Sequence, residues 1–507
     1  MKLLTSSQIR AWDAYTIEND PIASIDLMER AAAKCAGWLT GHLLYTTDYV
    51  LFCGMGNNGG DGLAIARLLA RSGKNVSVYI LKTADKGSPD FEANRERLRG
   101  LTVDLKEIIS PEDFPSIDEK AVIIDALFGT GLSRPLDGLA VQLLEHINSF
   151  SNTKVAIDIP SGLPADWQAN YADYKSVIDA HFTLSFQVPK LSFLFPETGK
   201  YTGEFVMLDI GLAKDYLSTI ESEYHWIDFA GAASIIKKRN RFSHKGTYGH
   251  ALLVGGSLGK AGAIIMASKA CMKTGGGLTT AFIPRCAYTP LQTAVPEVMA
   301  ETIQKDDLLD VMPNDTGKYT AIGVGPGMGT QITTRDAFDD FLAAAEPSKL
   351  VLDADALNCL SLNFSERKKV KLPEGCILTP HPKEFDRMFG DSKDSLERLN
   401  KQVEAAKKHK VYIVLKGTHT SIALPTGEVY FNSTGNPGMA KGGGGDVLTG
   451  VITSLRAQGH HQKEACILGV YLHGLAADLA LEHESVESLS ATDIIEYLGK
   501  AFMHLKT

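Results

Sequence analysis

A chain of 507 residues is longer than a single compact core usually supports, so two or more domains are expected. With 44% hydrophobic and 22% charged residues it has the make-up of an ordinary soluble globular protein. A formal charge of −9 excludes a general attraction to nucleic acid or to an anionic membrane, and leaves room only for local basic pockets. The seven cysteines are scattered without a CxxC pair or zinc-like spacing, which predicts reduced thiols. The opening MKLLTSSQIRAWD turns polar after two leucines, unlike a signal peptide. No apolar run approaches the roughly 18 residues of a transmembrane helix. We expect a cytoplasmic enzyme or binding protein with no nucleic-acid and no membrane partner.

In the first half, DYVLFCG, NVSVYIL, KAVIIDAL, KVAIDIP, AHFTLSF and GEFVMLDIG read as buried strands, with helical patterns such as DGLAIARLLARSG and LAVQLLEHINSF between several of them. That alternation predicts a mostly parallel sheet wrapped by helices. VLFCGMGNNGGDGLAIARLL sets Gly54, Gly56 and Gly59 in GxGxxG spacing between a strand and a helix, where bare amides at a helix start suit a phosphate. The same spacing serves a tight turn without a ligand. A nicotinamide dehydrogenase also places an acid at the end of its second strand, for the ribose. Here VSVYIL runs into Lys82, which makes simple hydride transfer a secondary reading.

Two further strand-end loops follow. IIDALFGTGLSRPL offers Asp125 and a turn at Gly129 and Gly131, and VAIDIPSGL offers Asp158 and Ser161. In a parallel sheet such loops meet at one edge, so Asn58, Asp125 and Ser161 are candidate oxygen ligands for a hard cation. Each alone is as well explained by a helix cap or a turn.

GMGNNGGDG, DALFGTGL, AIDIPSGL and PKLSFLFPETGKYTGEFVMLDIGL together resemble the NAD(P)H-hydrate epimerase domain, over roughly residues 1–213. The resemblance implies a Rossmann-like domain, bounded here at 1–215, that acts on NADHX and NADPHX, the hydrated forms of NADH and NADPH. It implies dinucleotide contacts from Asn57, Asn58, Gly59, Gly60 and Asp61, and from Gly129, Thr130, Gly131, Leu132, Ser133, Arg134 and Pro135. It assigns Asn58, Asp125 and Ser161 to a potassium ion, and Asp158 to the reacting nicotinamide end as the catalytic proton shuttle. PADWQANYADY, after the last loop, departs from a commoner glycine-containing turn. Binding-only members of the family keep an interaction module open as an alternative.

Around KDYLSTIESEYHWID the pattern weakens, the best boundary in the chain. Beyond it GHALLVGGS, YTAIGVG, KLVLDAD, GCILTPH and VYIVLKG begin a second α/β alternation that does not align with the first. A glycine turn in GVGPGMG, Asp353 and Asp355 at a strand end, His381 and Glu384 in LTPHPKEFDRM, and Lys416 with two threonines are its chemical candidates. Singly, His381 is a structural histidine, Glu384 a helix-start carboxylate and Lys416 a solvated strand end. GNPGMAKGGGGDVLTG adds four glycines ahead of Asp446, with a helix expected to start near that residue.

The set resembles the ribokinase-like superfamily, and more closely its ADP- or ATP-dependent NAD(P)H-hydrate dehydratases, over roughly residues 229–507, within a domain bounded at 224–507. GGGGD stands where that family usually has GGSGD, so Gly444 replaces a serine. By position the resemblance places Ala263, Gly327, His381 and Asp446 on the hydrate, with Asp446 catalytic. It places Lys416, Gly417, Thr418, His419, Thr420, Ser421 and Gly445 on the ADP or ATP co-substrate. Magnesium should bridge the nucleotide phosphates, with Asp353 and Glu384 as outer-shell contacts at most. We expect a bifunctional metabolite-repair enzyme, an isomerase fused to a lyase, acting on small molecules as a homo-oligomer. A vitamin or sugar kinase is the alternative.

Overall fold

The computed structural model describes residues 1–20, 22–166, 174, 176–367 and 372–506, with side chains of 363–367 excluded. Most of PADWQANYADY therefore lies outside the described residues. The chain divides into two compact units, Lys2–Ser222 and Glu223–Thr507 together with Met1.

The first unit holds a seven-stranded sheet, β1 (Asp48–Cys53), β2 (Asn75–Leu81), β3 (Val103–Ile108), β4 (Val122–Ala126), β5 (Lys154–Ile157), β6 (Phe182–Phe186) and β7 (Glu204–Leu208), in spatial order 3-2-1-4-5-6-7. Every pair in it is parallel. The order reverses between β1 and β4, the place where such sheets open a crevice above their strand ends. β3 was not legible as a buried run, because VDLKEI alternates apolar and polar residues at the sheet's edge. The helix Asn57–Arg71 begins four residues before the expected DGLAIARLL and lies directly on the strands. A methyl group on Gly62 would stand 2.6 Å from Ala126 Cβ and 2.7 Å from Cys53 Sγ. Overpacking of that kind costs about 1–3 kcal/mol. The sheet's faces are sealed by two cores, one around Leu51, Leu63, Ile65 and Ile124, the other around Phe52, Ile123, Leu143 and Ile147.

The second unit holds a ten-stranded sheet. Its strands are β8 (Tyr224–Ile227), β9 (His250–Val254), β10 (Leu278–Ile283), β11 (Met299–Thr302), β12 (Ala321–Val324), β13 (Leu350–Leu352), β14 (Ile377–Leu378), β15 (Tyr412–Leu415), β16 (Ser421–Ala423) and β17 (Val429–Asn432). Their order is 11-10-9-12-13-14-15-16-17-8, antiparallel only at β15–β16–β17. β8 falls inside KDYLSTIESEYHWID, and its four residues, too short for a visible period, pair with β17. The helix Gly444–Ala457 starts two residues before Asp446. It crosses the helix Ala261–Lys273 closely, because Gly450 carries no Cβ: one would meet Ala267 O at 2.1 Å. Among the described residues no helix is long and apolar enough to cross a membrane.

Candidate active sites

In the first unit the loops after β1, β2, β4 and β5 enclose a cavity of about 1140 Å³, larger than a typical small-ligand site. Its walls include Asn57, Asn58, Asp61, every residue from Gly129 to Pro135, and Asp158. Gly59 and Gly60 turn inward instead. A Cβ on Gly59 would overlap Gly54 O at 1.7 Å, and one on Gly60 would meet Met28 Sδ at 2.9 Å. Their absence of side chains lets the helix seat against the sheet, and any contact they make with a ligand runs through the backbone.

Asp125 and Ser161 are fully buried and bonded to each other. Ser161 donates its backbone N–H to Asp125 Oδ2 (2.7 Å) and its hydroxyl to Oδ1 (2.6 Å), while Leu127 N donates to Oδ1 (3.2 Å). Burial pushes the Asp125 carboxyl up to about 6 against these bonds. Asn58 packs on Gly129, whose Cβ would stand 3.2 Å from its own, and its amide Nδ2 is buried without a partner. The Asp125 carboxylate, the Ser161 hydroxyl and the Asn58 side-chain carbonyl are the oxygens these residues would offer a hard monovalent cation, whereas the unpartnered Asn58 Nδ2 is a hydrogen-bond donor and no ligand.

Asp158 is 9% exposed and holds φ at +66°, a left-handed conformation uncommon for a residue with a side chain. Its Oδ1 accepts from Lys190 Nζ (2.5 Å) and Phe186 N (3.2 Å). Lys190 is 1% exposed, and its ammonium also donates to Ser185 Oγ (2.8 Å) and to the carbonyls of Phe186 and Val188. Two more carboxyls line the same cavity. Burial, then the charges of Asp158, Asp13 and Asp90, hold Asp61 well above the usual carboxylate range. Asp13 is pushed up to about 7 by burial and by Asp158, with Lys190 opposing. Sequence reasoning missed Lys190 and Asp13. Lys190 sat in the PKLSFLFP motif without an evident partner, and Asp13 lies on the amphipathic helix Ser6–Asn19, where a carboxylate reads as a solvated face.

In the second unit the loops after β9, β12, β13, β14 and β15 and the start of Gly444–Ala457 carry the candidates. Gly327, at φ +63°, abuts Ala263: its Cβ would stand 3.2 Å from that of Ala263. His381 caps the helix Pro382–Phe389. Its Nδ1 accepts from Lys383 N (3.0 Å) and Glu384 N (3.3 Å), while Glu384 Oε2 accepts from His381 N (2.8 Å). The neutral ring therefore carries its proton on Nε2. Burial, helped by Lys416 and Arg387, lowers its pKa.

Lys416 Nζ lies 2.8 Å from Asp353 Oδ1 and 3.9 Å from Glu384 Oε2, and a Cβ on Gly445 would stand 3.2 Å from it. Burial works to lower its pKa, but Asp353 and Glu384 raise it overall. Thr449 donates to Asp353 Oδ2 at 2.6 Å. Asp446 is the third residue of its helix, and Gly443, at φ +96°, is the cap. Among the described residues its carboxylate accepts no hydrogen bond. Burial and the charge of Asp353 push it up to about 7, against Lys416, and burial likewise puts Glu384 at about 7. The rest of the expected nucleotide loop is tied to the protein. Thr420 Oγ1 donates to Gly417 O (3.2 Å), His419 Nδ1 meets Asn432 O (3.0 Å) and Ser421 Oγ donates to Gln402 Oε1 (2.7 Å). Gly417 and Thr418 are exposed. His473, which the sequence reading missed in the apolar middle of the helix Gln462–Ala480, lies beside Gly444 with a buried, unpartnered Nε2, and burial drives it down to about 4.

Of the four glycines, only Gly443 is demanded by a positive φ. Gly444 has room, since the nearest atom to its Cβ position is Met439 O at 3.8 Å. Gly444→Ser should therefore fold with a thermal midpoint within about 2 °C of wild type, a cost under ~0.5 kcal/mol for a residue suited to a helix start. A larger drop in differential scanning calorimetry refutes that reading of the loop.

These two sites define a two-domain α/β enzyme whose first half opens a dinucleotide-sized cavity and whose second sets an acid in the first turn of a helix behind a glycine loop. Residues 24–192 match the family described as YjeF-related protein N-terminus, and residues 251–500 match NAD(P)H-hydrate dehydratase. The bifunctional NAD(P)H-hydrate repair enzymes of Moorella thermoacetica (32% identical) and Thermofilum pendens (33%) each align over 100% of this chain and 97% of their own. That of Escherichia coli is 32% identical over 89% of this chain and 84% of its own. A ribokinase-like superfamily protein of Enterococcus faecalis has a structure superposing at TM-score 0.51, with 29% identity over 56% of this chain and 98% of that one. The chain belongs to the family of bifunctional NAD(P)H-hydrate repair enzymes.

Proposed function

We propose that the chain, in the cytoplasm and as a homo-oligomer, returns NADHX and NADPHX to NADH and NADPH. The first domain (1–215) interconverts the R and S epimers, and the second (224–507) dehydrates the S epimer at the expense of ADP or ATP. Supporting this reading above all is the pairing, in one chain aligned end to end with repair enzymes, of a carboxylate–lysine pair in a dinucleotide-sized cavity and an acid at an anion-suited helix start.

The substrate carries its hydroxyl on a ring carbon next to nitrogen, so that C–O bond is labile. Inverting the carbon needs a proton shuttle, by water loss and return or by ring opening. Asp158 is the shuttle, kept in place by Lys190. Potassium, held by Asn58, Asp125 and Ser161, would supply positive charge beneath the cavity. In the second domain Asp446 takes the proton of the ring hydroxyl as that oxygen attacks the nucleotide's terminal phosphorus. The amides ahead of Asp446 face the charge that builds on the transferred group. Phosphate then leaves, expelled by the nitrogen lone pair, and loss of a proton from the neighbouring ring carbon restores the ring double bond of NADH or NADPH. Magnesium would neutralise the nucleotide's phosphates. Asp353 commits both oxygens to Lys416 and Thr449, so it fits only an outer position around that ion.

Purified R and S hydrates, incubated with ADP or ATP and followed chromatographically, test the reading. Interconversion without nucleotide and nucleotide-dependent loss of S alone are expected. A stable phosphorylated alcohol would make the second domain a kinase. For the cation, Asp125→Asn keeps the side chain's size and one accepting oxygen but removes the site's formal charge. Epimerisation should lose its response to added potassium while dehydration persists. An unchanged potassium response sinks the ion assignment.

A further inference from the structure

Resting on the epimerase reading above, we propose that Asp13 is the second catalytic carboxyl of the first domain, the acid that works with the base Asp158. Asp13 comes from the helix Ser6–Asn19 and Asp158 from the loop after β5, and both side chains line the one cavity. Lys190 Nζ donates to Asp158 Oδ1, so that carboxylate is already held as an acceptor, which assigns it the base. Among the described residues no cation is hydrogen-bonded to Asp13, which suits the proton-bearing partner.

The groups that face Asp13 come from several elements. Asp158 follows β5, Lys190 follows β6, Asp61 stands in the first turns of Asn57–Arg71, and Arg10 lies on Asp13's own helix. The Cys35 thiol, from the helix Ser24–His42, is buried near Asp61 and Asp158 and stays uncharged. Burial and the Asp158 charge bring Asp13 to about 7, where an acid can release its proton near neutrality. Burial and the charges of Asp158 and Asp13 raise Asp61 as well.

The step balances by water loss and return. Asp13 gives its proton to the ring hydroxyl, the C–O bond breaks, water departs and the nitrogen lone pair forms the C=N⁺ bond. Water then adds to the other face of the carbon, and Asp158 takes its proton. Transfer of that proton from Asp158 to Asp13 restores the starting state, and the opposite epimer runs the same steps with the roles exchanged.

The test measures epimerisation by the intact chain from pH 5 to 9, corrected for the uncatalysed rate. Wild-type kcat/KM should fall above about pH 7, as Asp13 ionises. Asp13→Asn should lower kcat by roughly 10²–10⁴ with little change in KM and abolish that alkaline fall. Asp13→Glu should restore the fall. Dehydration of S hydrate by the same molecules reports intact folding. Asp13→Asn within a few-fold of wild type, or slow but with the alkaline fall retained, overturns the proposal. Wild-type protein that epimerises neither hydrate overturns the epimerase reading itself.

Discussion

Asp446→Asn should leave the chain folded and epimerising, yet slow dehydration of the S hydrate by roughly 10²–10⁴, or about 3–5 kcal/mol of barrier. A helix-capping role would have predicted instead about 0.5–2 kcal/mol of lost stability. That role belongs to Gly443, and Asp446 sits in the first turn. Among the described residues its carboxylate accepts no hydrogen bond, while Asp353, Asp355 and Glu384 crowd it with like charge that Lys416 only partly offsets. Removing its charge relieves repulsion, so Asn should be neutral or mildly stabilising. The pH dependence has a definite sign. A base raised to about 7 is protonated and idle below that pH, so wild-type dehydration should climb through pH 7 and level off above it. In Asp446→Asn the climb should vanish. A mutant that dehydrates within a few-fold of wild type removes Asp446 from the chemistry.

The parts of this protein that were legible from sequence are those whose physics is local. β1, β4 and β9 announce themselves as apolar runs followed by glycine turns, and the helix after Gly443 by its apolar spacing. β3 stayed hidden because an edge strand needs only one protected face. β8 stayed hidden because its pairing partner, β17, comes some two hundred residues later. The first unit's end illustrates the same limit. Ile220 packs with Trp12, Ile210 and Leu212, so residues past 215 serve the first core although their pattern looks like a fading linker. Among the site residues, a strand-end aspartate can be picked out by position. What it is bonded to cannot: Lys190 reaches Asp158 across 32 positions, and Lys416 reaches Asp353 across 63. Lys416 read from sequence as a free cation for the nucleotide, but its ammonium is already committed to two carboxylates.

Lys190→Met should carry the largest stability cost. The ammonium is 1% exposed and its partner Asp158 is 9% exposed, so deleting it strands a carboxylate in the protein interior. Breaking a buried pair from one side costs about 3–5 kcal/mol, because the remaining charge keeps its desolvation penalty without compensation. Ser185 Oγ and two carbonyls lose a donor as well. Hydrogen exchange of the β5 and β6 amides in the intact chain should accelerate by about 10²–10⁴, the same 3–5 kcal/mol read as a local opening equilibrium. Epimerisation should fall with it, since Asp158 loses the hydrogen bond that orients it. The double mutant separates charge from packing. Adding Asp158→Asn removes the stranded carboxylate, so much of the protection should return although epimerisation does not. The recovery is partial because the carbonyl acceptors are still unserved. If Lys190→Met costs less than about 1 kcal/mol, or if the double mutant is no more protected than the single, Lys190 and Asp158 do not act as a coupled pair. The base assignment of Asp158 would then lose its structural cause.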